Sequence, residues 1–259
     1  KRVQENQQYK DGRFTNVEPQ SPFNFSEIGS FFTEMIFYDE IRIPPSKIPV
    51  ISVLDSSLKI LNSSTLRAFW IGHASVYVEI DGIRILIDPV FSDYASPFDF
   101  GPKRFHPPPI TLQDLPKIDA VVISHDHYDH LDMETITHLS KNETIFFVPL
   151  GIGAHLEKWG VFKNQIHELE WWQDQMVGKI RILCTPNRHY SGRGLTDYKA
   201  TLWSSWTVIG PKHSFYYSGD TGYSKHFKEI LAGNSFLSQY KYSSQFEQQF
   251  SSYIGTDFA

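Results

Sequence analysis

"ISHDHYDHLD", Ile123 to Asp132, puts three histidines and three aspartates into ten residues. It starts inside the apolar run "AVVIS" (120–124). A short run of this kind, rich in β-branched residues, reads as a buried strand, so the histidines fall on the turn that leaves a sheet edge. His125 and His127 are two apart and reach one point from an extended turn. Asp129 and His130 swing toward a neighbouring point as the chain enters a helix expected from about Met133. Imidazole and carboxylate are ligands that zinc, iron and manganese all accept. The bland alternative is a polar turn with surface histidines, but HxHxDH behind a buried strand is a more demanding pattern than that.

Working outward, "LRAFW", "SVYVEI" and "IRILID" read as strands, with Asp81-Gly82 between the second and third as a tight hairpin turn. The latter strands alternate only partly, which predicts cover on both faces. "TIFFVPL" followed by "GIGAHLEKWG" is a strand-to-helix unit, and "KIRILCTP", "TLWSSWTVIG" and "SFYYS" are further strands. The pattern predicts sheets covered by helices. Two later segments fit the same site. His189, in "TPNRHYSG" behind a strand, completes a histidine trio with His125 and His127; its bland reading is a loose surface histidine. Asp220, in "YYSGDTGY", is placed to bridge two cations, with Gly219 and Gly222 letting the backbone turn around it; the alternative is a plain Asp-Gly turn.

With 259 residues, 41% of them hydrophobic, one large domain is expected. A formal charge of -5 and a pI near 6.1 give no global attraction to nucleic acid or anionic lipid. The single cysteine, Cys184, excludes a disulfide within the chain and points to a reducing compartment. No apolar run approaches the roughly 20 residues of a membrane-spanning helix. The sequons at Asn24, Asn62 and Asn142 read as chance matches. Residues 1–22 read as a flexible lead-in. Ile28, Phe31, Phe32, Met35 and Ile36 then follow one helical face, with Ser26 as a cap. Glu27 and Glu34 beside that face favour docking on a domain over lying on a membrane. "IPPSKIP" reads as a linker.

The block "WIGHASVYVEIDGIRILIDPVFSDYASPFDFGPKRFHPPPI" through "HYDHLD", with "ELEWWQ", "LWSSWTVIGP" and "SGDTGY", resembles the metallo-β-lactamase superfamily. Within it, "DPVF", "ASP", "FGPKRF" and "HYDHLD" are similar to the N-acylphosphatidylethanolamine-hydrolysing phospholipase D family. The resemblance covers about Leu66 to Tyr223. It implies an α/β (α+β) class fold, the αββα sandwich, with a two-zinc site at the sheet edges. His125, His127 and His189 would hold the first zinc, Asp129 and His130 the second, and Asp220 would bridge; Asp129 and Asp220 also carry the catalytic assignment. The implied substrate is a phospholipid at a membrane surface, cut to an N-acylethanolamine and phosphatidic acid. On this reading residues 1–64 are an N-terminal extension, 65–222 the metallo-β-lactamase-like domain and 223–259 a divergent tail. After "GDTG" the family continues with another strand, a loop and a late histidine ligand, whereas the only histidine from Tyr223 onward is His226. The expectation is therefore a truncated or replaced final strand-helix portion and an incomplete second zinc site. A splice variant, a gene-model error and true divergence all remain open.

Lys103 and Arg104 in "GPKRF", and Arg188 and Arg193 around His189, are candidates to meet a phosphodiester, with solvated loop charges as the equal alternative. His73 in "IGHAS" reads as packed or supporting. The tryptophans 70, 171, 172, 203 and 206 read as mostly core, although Trp171 and Trp172 cannot both point inward from a strand. "GIGAHLEKWG" fails the spacing of a nucleotide loop, and no nucleophile elbow supports a serine triad. Rival functions are a lactonase, a nuclease, or an inactive isoform that binds lipid or pairs with another copy. No nucleic-acid partner is expected, a homodimer is compatible with the reading, and the expected location is intracellular, cytoplasmic or peripheral to a membrane.

Overall fold

A computed structural model describes residues 2–18, 44–52, 58, 61, 63–194 and 196–232. The expected helix around 28–36 and the tail beyond 232 lie outside the described residues.

The predicted hairpin organises the larger sheet. Strand β4 (Ser75–Ile80) turns back into β5 (Ile83–Ile87) with Ile80 opposite Ile83, so Asp81 and Gly82 alone form the turn. Both take positive φ, 48° and 87°, as a two-residue turn matching strand twist requires. β3 (Leu66–Gly72) pairs antiparallel with β4 on one side. On the other, β5, β6 (Ala120–Val122), β7 (Ile145–Pro149) and β8 (Ile166–Leu169) run parallel, giving a six-stranded mixed sheet in sequential order. Parallel neighbours need crossovers: α2 (Met133–Leu139) links β6 to β7, and α3 (Gly153–Lys158) links β7 to β8.

The second sheet has four antiparallel strands in the order β12-β11-β10-β9, formed by β9 (Asp174–Val177), β10 (Ile180–Thr185), β11 (Ser205–Ile209) and β12 (Ser214–Tyr217). Alternation decides which side chains meet. Val78, Ile80, Ile85, Ile87, Ala120, Val122 and Phe147 face Ile180, Ile182, Cys184, Trp206 and Val208 in one buried cluster between the sheets. On the opposite face of the large sheet Tyr77, Leu86, Val121, Phe146 and Val148 pack on Leu131, Ile136, Leu139, Ile152 and Leu156 from α2, α3 and their approaches. Strands buried on both faces explain the incomplete alternation of the sequence. α4 (His226–Ala232) approaches the outer side of the small sheet, where Phe227 stands edge-on to Tyr216 at 6.2 Å. Among the described residues no helix is long and apolar enough to cross a membrane.

The lead-in departs from its expected disorder. Its first turn of helix, α1 (Arg2–Glu5), and a two-stranded ribbon of β1 (Tyr9–Lys10) and β2 (Arg13–Phe14) fold onto the domain. Phe14 is fully buried against Leu150, Leu202 and Trp203. One well-placed aromatic anchors a segment whose composition suggests none. Trp171 and Trp172 fall in the turn between β8 and β9 rather than in a strand: Trp171 donates its indole N–H to the Trp203 carbonyl (2.7 Å), while Trp172, at φ 71°, is half exposed.

Candidate metal centre

Five chain segments leave the same edge of the sandwich. Asp88 follows β5, the His125–His130 loop follows β6, His189 follows β10, Asp220 follows β12, and His73 sits at the tip joining β3 to β4. Each is held by elements whose registers are fixed by the core.

His125, His127 and His189 each bring one ring nitrogen within 4.8 Å of the others. His125 Nε2 lies 2.9 Å from His127 Nδ1, and the His125 and His189 rings stand edge to face at 4.6 Å. A second group, His73, Asp129 and His130, meets the same criterion. Asp220 lies between the two: Oδ1 is 3.4 Å from His130 Nε2, and Oδ2 is 4.0 Å from His189 Nε2. One carboxylate therefore turns one oxygen toward each group. Gly219 makes this possible, since at φ 60° a Cβ would come within 2.8 Å of Ser124 Cβ. Gly222 is not required in that way: its amide donates to the Arg188 carbonyl, and a Cβ there would make ordinary contacts.

Asp88, not singled out in the sequence, orients two of the imidazoles. It is fully buried and accepts from the Ser124 amide (2.6 Å), the Ser124 hydroxyl, His130 Nδ1 (2.8 Å) and the Tyr217 hydroxyl (2.8 Å). Because Ser124 Oγ donates to Asp88, it accepts from His125 Nδ1, 2.9 Å away. Both His125 and His130 therefore carry their proton on Nδ1 and turn Nε2 into the site. His130 Nε2 is buried and makes no hydrogen bond among the described residues. An inward nitrogen set among carboxylates is a place for positive charge, a proton or a cation, and the three-imidazole set beside it fits zinc.

The electrostatics agree. Burial pushes the His125 imidazole well below its ordinary pKa, with His130 and His189 adding to the effect, and burial also lowers His127. Burial and the neighbouring His127 bring His189 down to about 4. These three rings are neutral near pH 7, the form that ligates. Burial lowers His130 as well, but the Asp220 and Asp88 carboxylates outweigh it and raise its pKa to about 10, so this ring holds a proton that a metal ion would have to displace. For Asp129 burial acts upward, yet His73 and His130 bring it down to about 2. His130 lowers Asp220 most directly.

Other residues brace the loop. Asp126, buried, accepts from the Gly192 amide (2.7 Å) and the Thr201 hydroxyl (2.8 Å). Arg193 donates to the carbonyls of Asp126 (2.7 Å) and Leu131 (2.8 Å) and lies 3.9 Å over the Tyr128 ring. Asn16 of the lead-in brackets the His189 peptide, accepting from its amide (3.1 Å) and donating to its carbonyl (2.9 Å). Polar side chains this far apart in sequence give no local signal, though Asp126 lies within HxHxDH itself. The expected phosphodiester contacts are placed as follows. Lys103 is exposed, pairs with Asp93 at 3.5 Å and lies 5.2 Å from the centre of the Tyr94 ring. Arg104 donates to the carbonyls of Ser92 and Val90, and Arg188 donates to the Tyr223 carbonyl. His226 meets Ser224 at 2.7 Å and belongs to none of the ligand groups among the described residues.

The profile of the beta-lactamase superfamily domain matches residues 83–237, more than half of the chain. The chain belongs to that superfamily. An uncharacterized protein of Mycobacterium tuberculosis is 45% identical over 228 residues, covering 86% of this chain and 60% of its own length. The N-acyl-phosphatidylethanolamine-hydrolyzing phospholipase D 1 of Caenorhabditis elegans is 42% identical over 197 residues, covering 69% of this chain and 55% of its own length. The chain thus spans 60% or less of these relatives. A solved metallo hydrolase of Ignicoccus hospitalis, 23% identical with a TM-score of 0.50 over 66% of both chains, shares the fold. The superfamily match begins at Ile83, in β5, and takes in Asp88, the His125–His130 loop, His189 and Asp220.

Proposed function

We propose that this β-lactamase superfamily chain is a zinc-dependent phosphodiesterase of phospholipase D type, cleaving N-acylphosphatidylethanolamine to N-acylethanolamine and phosphatidic acid. The observation that carries the metal-dependent part is the pair of ligand groups joined by Asp220. His125, His127 and His189 would hold one cation, Asp129 and His130 a second, with Asp220 shared. Bound there, divalent cations supply Lewis acidity and lower the pKa of water toward about 7. The chain's own residues fix what is held: Asp88 and Ser124 set the histidine tautomers, and Arg193 and Asp126 keep the loop in place. In the net reaction the water oxygen joins phosphorus, the bond from phosphorus to the ethanolamine oxygen breaks, and that oxygen takes up the proton.

The lipid part is supported by similarity to the Caenorhabditis elegans enzyme and by exposed apolar side chains. Trp70, Phe98, Phe100 and Phe105 are all more than half exposed. A cleft of about 780 Å³ is lined by Phe98, Trp159, Arg193 and Tyr128, and Tyr128 stands in the sequence between His127 and Asp129. The test sets vesicles containing N-acylphosphatidylethanolamine beside a soluble phosphodiester and a lactone, before and after metal removal by chelation. Metal-dependent turnover that prefers the vesicles is expected. Preference for the lactone removes the phospholipase reading, and turnover unaffected by chelation removes the metal reading.

A further inference from the structure

His73 is the one member of the second ligand group that lies outside the chain's aspartate- and histidine-rich motifs. With Ala74 it forms the two-residue tip between Gly72 and Ser75, which pair across the β3-β4 hairpin. Its φ is 48°, the left-handed value that the first position of a two-residue hairpin turn takes and that a histidine rarely supplies. Two contacts hold the tip. Trp70 donates its indole N–H to the His73 carbonyl (2.8 Å), and Gly72 lies so close to His106 that a Cβ would meet the ring at 3.0 Å.

The tip so held places His73 Nε2 2.8 Å from Asp129 Oδ2, with the ring edge-on to His130 at 5.6 Å. His130 Nε2 is 3.8 Å from the same Asp129 oxygen and makes no hydrogen bond among the described residues. An exposed histidine-aspartate pair by itself is worth little to stability, so it gives no reason for a histidine at a turn position that suits glycine or asparagine better. A close approach of two ligand atoms also occurs in the first group, where His125 Nε2 and His127 Nδ1 stand 2.9 Å apart.

We infer that His73, through Nε2, is a fourth ligand of a second divalent cation held by Asp129, His130 and Asp220. This rests on the metal-dependent reading above. It brings that site to the four ligands that zinc prefers, using a residue some fifty positions before the motif rather than one after it. The ligand comes from a residue open to solvent: its side chain is 62% exposed.

The test uses the purified protein with cobalt(II) in place of zinc. Each histidine bound to cobalt(II) gives a strongly shifted, solvent-exchangeable N–H resonance in the proton NMR spectrum. The variant is His73→Asn, which tolerates the left-handed backbone and can still hydrogen-bond Asp129 but lacks an imidazole. His73→Gly is the second variant should the first fold poorly. The wild type is expected to take up two ions per chain. Either variant should lose one exchangeable resonance and bind the second ion roughly 10- to 100-fold more weakly, with the first unchanged. Weaker binding with every resonance retained makes His73 a positioning residue only and overturns the inference. So do unchanged affinity and spectrum, and so does a wild type that binds one ion only. A wild type that binds no ion at all overturns the metal-dependent reading as well.

Discussion

The buried Asp88 carboxylate receives four donors, and two of those links fix which nitrogen of His125 and of His130 faces the site. Replacing it by asparagine keeps the shape but lets a side-chain N–H face Ser124 Oγ or His130 Nδ1, so one donor must turn away. Asp88→Asn is therefore expected to weaken metal binding about 10- to 100-fold, the usual effect of losing a residue that orients a ligand. Calorimetric titration with zinc checks this, and affinity equal to wild type would show that the histidines orient themselves. The double change His125→Ala with His127→Ala acts directly and should remove the first ion; unaltered zinc per chain would show the ligands to be elsewhere.

At the scale of elements, strand β4 carries a charge where its burial leaves no water. Glu79 is fully buried and is met by Arg67 from β3, Arg84 from β5 and the Tyr77 hydroxyl at 2.7 Å. Glu79→Ala leaves two guanidinium groups without their shared anion, and a loss of about 3–5 kcal/mol is expected in urea unfolding. A loss under about 1 kcal/mol would mean that solvent reaches both arginines. The Asp81-Gly82 turn ties the two sheets in another way, since Asp81 also accepts from the Lys212 and His213 amides (2.9 and 3.1 Å) and the His213 ring (2.7 Å). Burial raises the Asp81 pKa, but these donors outweigh it and leave it below the ordinary value. A depressed carboxylate stabilises fully above its unfolded pKa of about 3.9 and loses that contribution as pH falls through the lower folded value. Asp81→Asn, which still suits the turn, should flatten the acid slope of the unfolding midpoint; an unchanged slope would assign it to other groups. The turn itself was legible because Asp-Gly between apolar runs has a local cause, and so were His125, His127, Asp129 and His130, crowded into one loop. Strands β8 and β9 were not read, since "IHEL" and "DQMV" are short and half polar and take their conformation from neighbours. Asp88 and Asp126 were missed because their partners lie far away in sequence.

For the whole molecule, the same distance effect connects residues 2–18 to the candidate metal centre. Phe14 fills a pocket of Leu150, Leu202 and Trp203, its amide donates to the Lys199 carbonyl (2.8 Å), and Asn6 donates to Glu170 (2.8 Å). Two residues beyond Phe14, Asn16 holds both sides of the His189 peptide and accepts from the Trp203 indole (2.9 Å). Phe14 thus anchors the segment and Asn16 transmits its position to a proposed ligand. The two should separate by mutation. Phe14→Ala empties a core site and is expected to cost about 3–5 kcal/mol of global stability. Asn16→Ala removes both of the bonds it makes to the His189 peptide and leaves the Trp203 indole its longer bond to the Asn187 carbonyl (3.3 Å), so its main effect should be local opening of the segment around His189. Hydrogen exchange measures this: amides at 188–190 should exchange faster in Asn16→Ala while those of β6 and β10 keep their wild-type protection. Zinc binding at the three-histidine group should weaken alongside. If exchange at 188–190 matches wild type, the loop is held by Asp126, Arg193 and the small sheet alone, and the lead-in contributes burial without supporting the site.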